Sequence, residues 1–202
     1  MNEAISAIRC DKDHKYWHRR PNGEVCVPGF TEILKDLAVT EDNGFYTEFG
    51  RERGTAIHQW VRFLAEGGVS EEVPDERISP YLEQFLKFIS ESGFNFRGGE
   101  EPVYHNSLVY ATTPDIYGDL NGVLTVIDIK GGAKESWHPV QTAAQSLALN
   151  ANLIPIVGRA SLYLKPDSYR LVPHTDRSDL MRWTVLVTAF HAKSFYSNRS
   201  AL

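Results

Sequence analysis

The chain has almost no cysteine: Cys10 and Cys26 are the only two in 202 residues. Two thiols cannot frame a disulfide-stapled fold, and they exclude a four-cysteine iron–sulfur cluster. No apolar run approaches the ~20 residues that a helical membrane span requires. Met1-Asn2-Glu3-Ala4 has neither the basic region nor the apolar stretch of a signal peptide. An excess of positive charge is missing too. The formal net charge of −5 argues against a tight non-specific DNA clamp, but leaves room for a local basic groove. No internal repeat and no low-complexity linker interrupts the chain. What is present, 42% hydrophobic and 23% charged residues, predicts a soluble cytoplasmic protein with one well-buried core.

The order of elements predicts a single α/β domain over 1–202, in which an N-terminal hairpin and helical region (about 1–95) lead into a sheet. A hairpin over 14–27 turns at Pro21-Asn22-Gly23. Thr31 is placed to cap a short helix ending at Leu37. A longer helix over about 45–66 follows from Ile57, Trp60, Val61 and Leu64 at i, i+3, i+4, i+7 spacing. Another over 77–92 places Pro80 in its first turn and Leu82, Phe85, Leu86 and Ile89 on its buried stripe. Strands occupy 94–130. A helix over 138–150, strands over 157–165 and 169–173, and a last helix over 178–196 complete the chain.

The most informative stretch runs from Thr113 to Lys130. Asn121-Gly122 is the preferred type I′ turn pair, because both positions require positive φ. Closing the turn there pairs Leu120 with Val123 and sets Asp115 opposite Asp128, with Lys130 on the same face as Asp128. Like charges directly opposite each other destabilise a sheet. Two readings are open: an ion-pair cluster on a solvated face, or a cation held between the carboxylates. Facing carboxylates make a poor structural strand, which favours the cation. Hard oxygen ligands suit Mg²⁺ or Mn²⁺, with the Ile129 carbonyl as a further ligand. Lys130 beside such an ion can hold an attacking water and offset charge on a phosphoryl group.

Pro114-Asp115 with Asp128-Ile129-Lys130 resembles the signature of the PD-(D/E)XK nucleases, in particular their RecB-like and phage-type exonuclease branch. Gly54-Thr55-Ala56-Ile57-His58 is similar to that branch's helical GxxxH motif. Glu101-Pro102-Val103-Tyr104 resembles its acidic strand, and Gln141-Thr142-Ala143-Ala144-Gln145 its QxxxY helix. Gly23 to Leu34 resembles the opening segment of phage-type members. The resemblance spans about 16–196. It departs at Thr113, where many relatives carry glycine-threonine before the Pro-Asp pair, and at Gln145, where the family has tyrosine.

The resemblance implies a restriction-endonuclease-like core, a mixed β-sheet flanked by α-helices. It implies one or two Mg²⁺ or Mn²⁺ ions held by His58, Glu101, Asp115, Asp128 and Ile129, with Asp115, Asp128, Lys130 and Gln141 as catalytic residues. Glu100 competes with Glu101, since strand alternation lets only one face the site. The expected activity is phosphodiester hydrolysis of DNA, as an exonuclease in recombination, repair or phage DNA metabolism, with a helicase or recombination protein as a possible partner and no membrane. The alternative is a non-catalytic nucleic-acid- or protein-binding member of the fold; a small-phosphate-ester hydrolase ranks below both. Arg51, Arg53 and Arg62 flank His58 and suit either phosphates or solvent. Trp137 suits either base stacking or the core at the start of its helix.

Overall fold

The computed structural model describes residues 8–40, 48–65, 67 and 75–199, without the side chains of 48–53, 64, 65, 198 and 199. Ten strands and five helices are described: β1 (Ile8–Cys10), β2 (Tyr16–Arg20), β3 (Gly23–Val27), α1 (Phe30–Asp36), α2 (Glu48–Ala65), α3 (Ser79–Ser92), β4 (Asn95–Gly98), β5 (Val103–His105), β6 (Tyr110–Thr112), β7 (Ile116–Leu120), β8 (Val123–Lys130), α4 (His138–Ala151), β9 (Gly158–Leu164), β10 (Tyr169–Pro173) and α5 (Ser178–Arg199). The central sheet has the order β10-β9-β8-β7-β4. Only β8 and β9 run parallel, joined through α4, so the sheet is mixed.

Alternation along β8 explains the layers. Ile127 and Ile129 face α2 and α3, packing with Ile57, Val61, Phe85 and Phe88. Val126 faces the opposite way, toward Ala143, Ala144 and Ala148 of α4 and Trp183 of α5. The alanines let α4 lie close to the strands, while each buried aromatic contributes roughly 1.5–3 kcal/mol by leaving water. The chain is therefore an α/β fold with helices on both faces of a mixed sheet. Among the described residues no helix is long and apolar enough to cross a membrane.

The turn reading holds. Asn121 (φ 54°) and Gly122 (φ 81°) both adopt left-handed backbone, and Asp119 Oδ1 accepts the Gly122 N–H at 2.9 Å. Leu120 pairs with Val123 and Ile116 with Ile127 without a bulge; the paired register ends there, and Asp115 lies just outside it, with its Oδ2 accepting the Ile129 N–H. The irregularity lies one strand away, between Phe96 and Gly98 of β4.

Three local expectations need correction. Gly29, not Thr31, is the N-cap of α1, and Glu32 Oε2 accepts the Gly29 N–H at 3.4 Å. Gly29 is drawn there by a bridge to Ala111. On α3, Leu86 is 49% exposed and Phe88 is fully buried. The buried face rotates toward Phe88 because Phe94 and Tyr169 pack on it, with ring centroids at 5.8 and 5.7 Å. The N-terminal hairpin gains a third strand, β1, paired to β2. The Leu64 side chain and the residues at 45–47 lie outside the described residues.

Two buried histidines predict the acid response of the fold. His138 Nδ1 accepts the Glu135 N–H at 3.3 Å and stands 2.8 Å from the Tyr163 hydroxyl. Burial, then the Lys130 charge, lowers its pKa to about 3. His174, against Ser161 Oγ at 2.9 Å, falls to about 4 through burial, then Arg159. Unfolded histidine titrates near 6.5. Between that value and the folded values only the unfolded chain takes up these protons. Above pH ~6.5 these two histidines add no pH dependence, and below it each should lower stability by up to about 1.4 kcal/mol per pH unit. Urea midpoints at pH 7.5, 6.5 and 5.5 check this; equal midpoints at 6.5 and 5.5 would contradict it.

Candidate metal centre

Asp115 sits at the mouth of the β7–β8 hairpin, just before β7. Its Oδ2 accepts the backbone N–H of Ile129 at 2.6 Å, which leaves Oδ1 to face outward. The amide and carbonyl of a strand residue point to the same edge, so the Ile129 carbonyl also faces Asp115.

A turn after β4 brings in the second carboxylate. The Glu100 N–H donates to the Pro114 carbonyl at 2.7 Å, and Glu100 has a left-handed backbone (φ 54°). Gly99 lies so close to the Asp115 carbonyl that a Cβ there would collide with it. This is where the choice of Glu101 fails. Residues 99–101 form a tight turn, not a strand, so alternation does not govern them. Glu101 is exposed and lines a separate cleft with Phe96 and Tyr117.

The third group comes from α2. Ile57 is buried against the sheet, and this holds the next residue, His58, over the hairpin mouth. His58 Nδ1 stands 3.3 Å from Asp115 Oδ1 and 3.7 Å from Glu100 Oε1. One ligand atom from each of His58, Glu100 and Asp115 lies within 4.8 Å of the others. Burial opposes a charge on His58, but the two carboxylates outweigh it and raise its pKa to about 10. Asp115 shows the reciprocal effect: burial pushes it up, but His58, then Lys130 and the Ile129 amide, hold it below its ordinary value. Two convergent carboxylates and an imidazole suit a divalent cation. The nitrogen ligand moves the preference from Mg²⁺ toward Mn²⁺.

Asp128 plays a different part from the one expected of a ligand. It is fully buried, with Oδ2 at 2.8 Å from Lys130 Nζ and Oδ1 accepting from Gln145 Nε2 at 3.2 Å. Burial raises its pKa, Lys130 opposes the rise and Asp115 reinforces it. Lys130 also donates to Gln141 Oε1 at 2.8 Å and lies 5.1 Å from the centre of the Trp137 ring. Burial would lower the Lys130 pKa, yet Asp128 and then Asp115 raise it overall. Lys130 is thus an oriented ammonium.

The hairpin and helices therefore build two adjoining sets: His58, Glu100 and Asp115 at the mouth, and Asp128, Lys130, Gln141 and Gln145 beneath α4. Gln145, where the resemblance departs from tyrosine, supplies the amide that holds Asp128. The i, i+4 spacing of Gln141 and Gln145 was the available signal. Trp137 is half-buried against Phe30 and caps the lysine. Arg62 is exposed, and the side chains of Arg51 and Arg53 lie outside the described residues. No protein-family model and no curated protein matches this chain.

Proposed function

We propose that this chain is a divalent-metal-dependent deoxyribonuclease with a PD-(D/E)XK core of the RecB-like or phage-type branch. The observation that carries this reading is the convergence of His58, Glu100 and Asp115 beside the oriented Lys130 ammonium. His58, Glu100 and Asp115 would hold the ion, with the Ile129 carbonyl at the same edge. A bound Mg²⁺ or Mn²⁺ supplies an activated water and neutralises phosphate charge. Lys130, fixed by Asp128 and Gln141, offsets the negative charge that grows on the scissile phosphate. Gln145 holds Asp128 so that the ammonium keeps its direction. Because Lys130 is held protonated, its part is electrostatic and positioning, with proton removal left to other groups.

The substrate we favour is linear DNA attacked from an end, in recombination, repair or phage replication, with a helicase or recombinase as the natural partner inside the cell. End-labelled single- and double-stranded DNA, incubated with Mg²⁺ or Mn²⁺, tests the activity directly. Loss of label in short products is expected; no cleavage of either substrate with either ion sinks the reading. Mn²⁺ should support faster cleavage than Mg²⁺, and His58→Ala should weaken Mn²⁺ binding by about 10-fold or more while narrowing that difference. An unchanged Mn²⁺ isotherm would contradict the ligand assignment.

One observation favours a non-catalytic binding member: Asp128 is fully buried, with Oδ1 held by Gln145 and Oδ2 charge-paired with Lys130, and stands apart from the His58, Glu100 and Asp115 set. Calorimetry separates the two, since a pure binding module has no need of metal affinity at His58, Glu100 and Asp115.

A further inference from the structure

Strand register carries a row of side chains from the centre across the sheet. Lys130, the last residue of β8, pairs with Tyr163 of the parallel β9, and Tyr163 pairs with Arg170 of β10. Register partners share a face, so these three side chains line up across one end of the sheet. Contacts fix which face that is. Lys130 donates to Gln141 of α4, and the Tyr163 hydroxyl stands 2.8 Å from His138 Nδ1 at the start of α4. Tyr169 and Leu171, on either side of Arg170 in β10, pack on the opposite face with the Phe88 cluster. The row also lies at the carboxyl ends of the parallel pair β8 and β9, where open α/β sheets take their ligands.

Tyr163 is buried, whereas Arg170 at the end of the row is exposed. Burial raises the Tyr163 pKa and the Ser161 hydroxyl opposes the rise. Of the charges, Lys130 and Arg170 also oppose it, while Asp128 reinforces it, so Lys130 and Arg170 act on one hydroxyl. The exposed charges in the flanking segments offset one another. Lys134 neighbours Glu135 in the loop before α4, and Lys165 shares the β9–β10 turn with Asp167. Arg170 has no such counterpart. Among the described residues Arg159 and Arg182 share Asp179, whereas Arg170 pairs with no carboxylate.

We infer that Arg170 is a phosphate-binding residue of the substrate path, holding a backbone phosphate a few nucleotides from the one that Lys130 serves. Neighbouring strands lie about 4.8 Å apart, so Arg170 stands roughly 10 Å from Lys130 across β9. Duplex phosphates recur about every 3.4 Å along each strand's axis, so that span covers about three phosphate steps. Tyr163 between them, tied to His138, keeps the spacing fixed. The acids at the mouth repel a phosphodiester without a cation, and a guanidinium fork in line with Lys130 supplies attraction. A contact of this type recognises backbone charge and not base sequence.

This inference rests on the nuclease reading, and the test separates them. Arg170→Gln replaces one exposed guanidinium by a neutral amide. Its KM for linear DNA should rise about tenfold, with kcat within about twofold of the parent. The slope of log affinity against log salt should become shallower by about 0.9, the loss of one phosphate contact. Mn²⁺ binding by calorimetry should be unchanged. Single neutral methylphosphonates placed along the cleaved strand then locate the contact. In the parent, one such substitution about three steps from the cleaved bond should raise KM about tenfold, and in Arg170→Gln it should have no effect. If the parent cleaves DNA but Arg170→Gln keeps the parent's KM and salt slope, the assignment is overturned and the nuclease reading stands. Equal methylphosphonate sensitivity in parent and variant also overturns it, because a merely structural loss would not track one phosphate. If the parent neither binds nor cleaves DNA with Mn²⁺, both fall.

Discussion

Asp115→Asn should abolish Mn²⁺-dependent DNA cleavage, by at least about 10³-fold, and leave the folded structure intact. The amide keeps an oxygen for the Ile129 N–H, the backbone contact that sets this residue at the hairpin mouth. What it loses is the charge that faces His58 and Glu100. Lys130 needs a more careful substitution. Removing it alone strands Asp128 in a fully buried position. Breaking one half of a buried pair costs about 3–5 kcal/mol, so a dead Lys130→Ala protein proves little. The double variant D128N/K130Q removes both charges together and should refold to near-parental stability with activity down by a similar factor. Circular dichroism and thermal melting report the fold; single-turnover cleavage reports the chemistry. Full activity in either the Asp115 variant or the double variant would sink the mechanism.

Gly99→Ala is expected to disable the centre without touching any ligand. A Cβ at Gly99 collides with the carbonyl oxygen of Asp115 and approaches its carbonyl carbon and the Cα of Ile116 at 2.9 Å. These are backbone atoms at the start of a central strand, so no side chain can swing aside. The turn must instead lift away, breaking the Glu100 N–H bond to Pro114 and carrying the Glu100 carboxylate off Asp115 and His58. Overpacking of this kind costs about 1–3 kcal/mol, within reach of a domain of this size. A displacement of about 1 Å at a reacting site costs on the order of 100-fold in rate. Gly99→Ala should therefore fold, melt earlier, bind Mn²⁺ more weakly and cleave at about one hundredth of the parental rate. Parental Mn²⁺ affinity would show that Glu100 is not held by this contact.

Local chemistry accounts for the parts that were legible without coordinates. Asn121-Gly122 favours a type I′ hairpin, and that turn sets the register from Leu120 and Val123 to Ile116 and Ile127 through strict two-residue alternation. The apolar period of α2 likewise reaches the sheet with Ile57 inward. Alternation failed at Glu100 and Glu101 because it holds only within strands, and a tight turn occupies that segment. The helical stripe misplaced Leu86 on α3 because Phe88 gained partners beyond its own helix, Phe94 and Tyr169.

The sequence by itself determined the mixed α/β order of elements, the hairpin and its register, because turn residues and side-chain periodicity act over a few neighbours. Tertiary structure alone decided which carboxylate joins His58, that Asp128 turns away to serve Lys130, and that Gln145 holds it there. Those outcomes depend on contacts between segments up to 57 residues apart, His58 with Asp115. No local period reports them. They follow from how closely the Gly99 turn, α2 and α4 pack against the end of one hairpin.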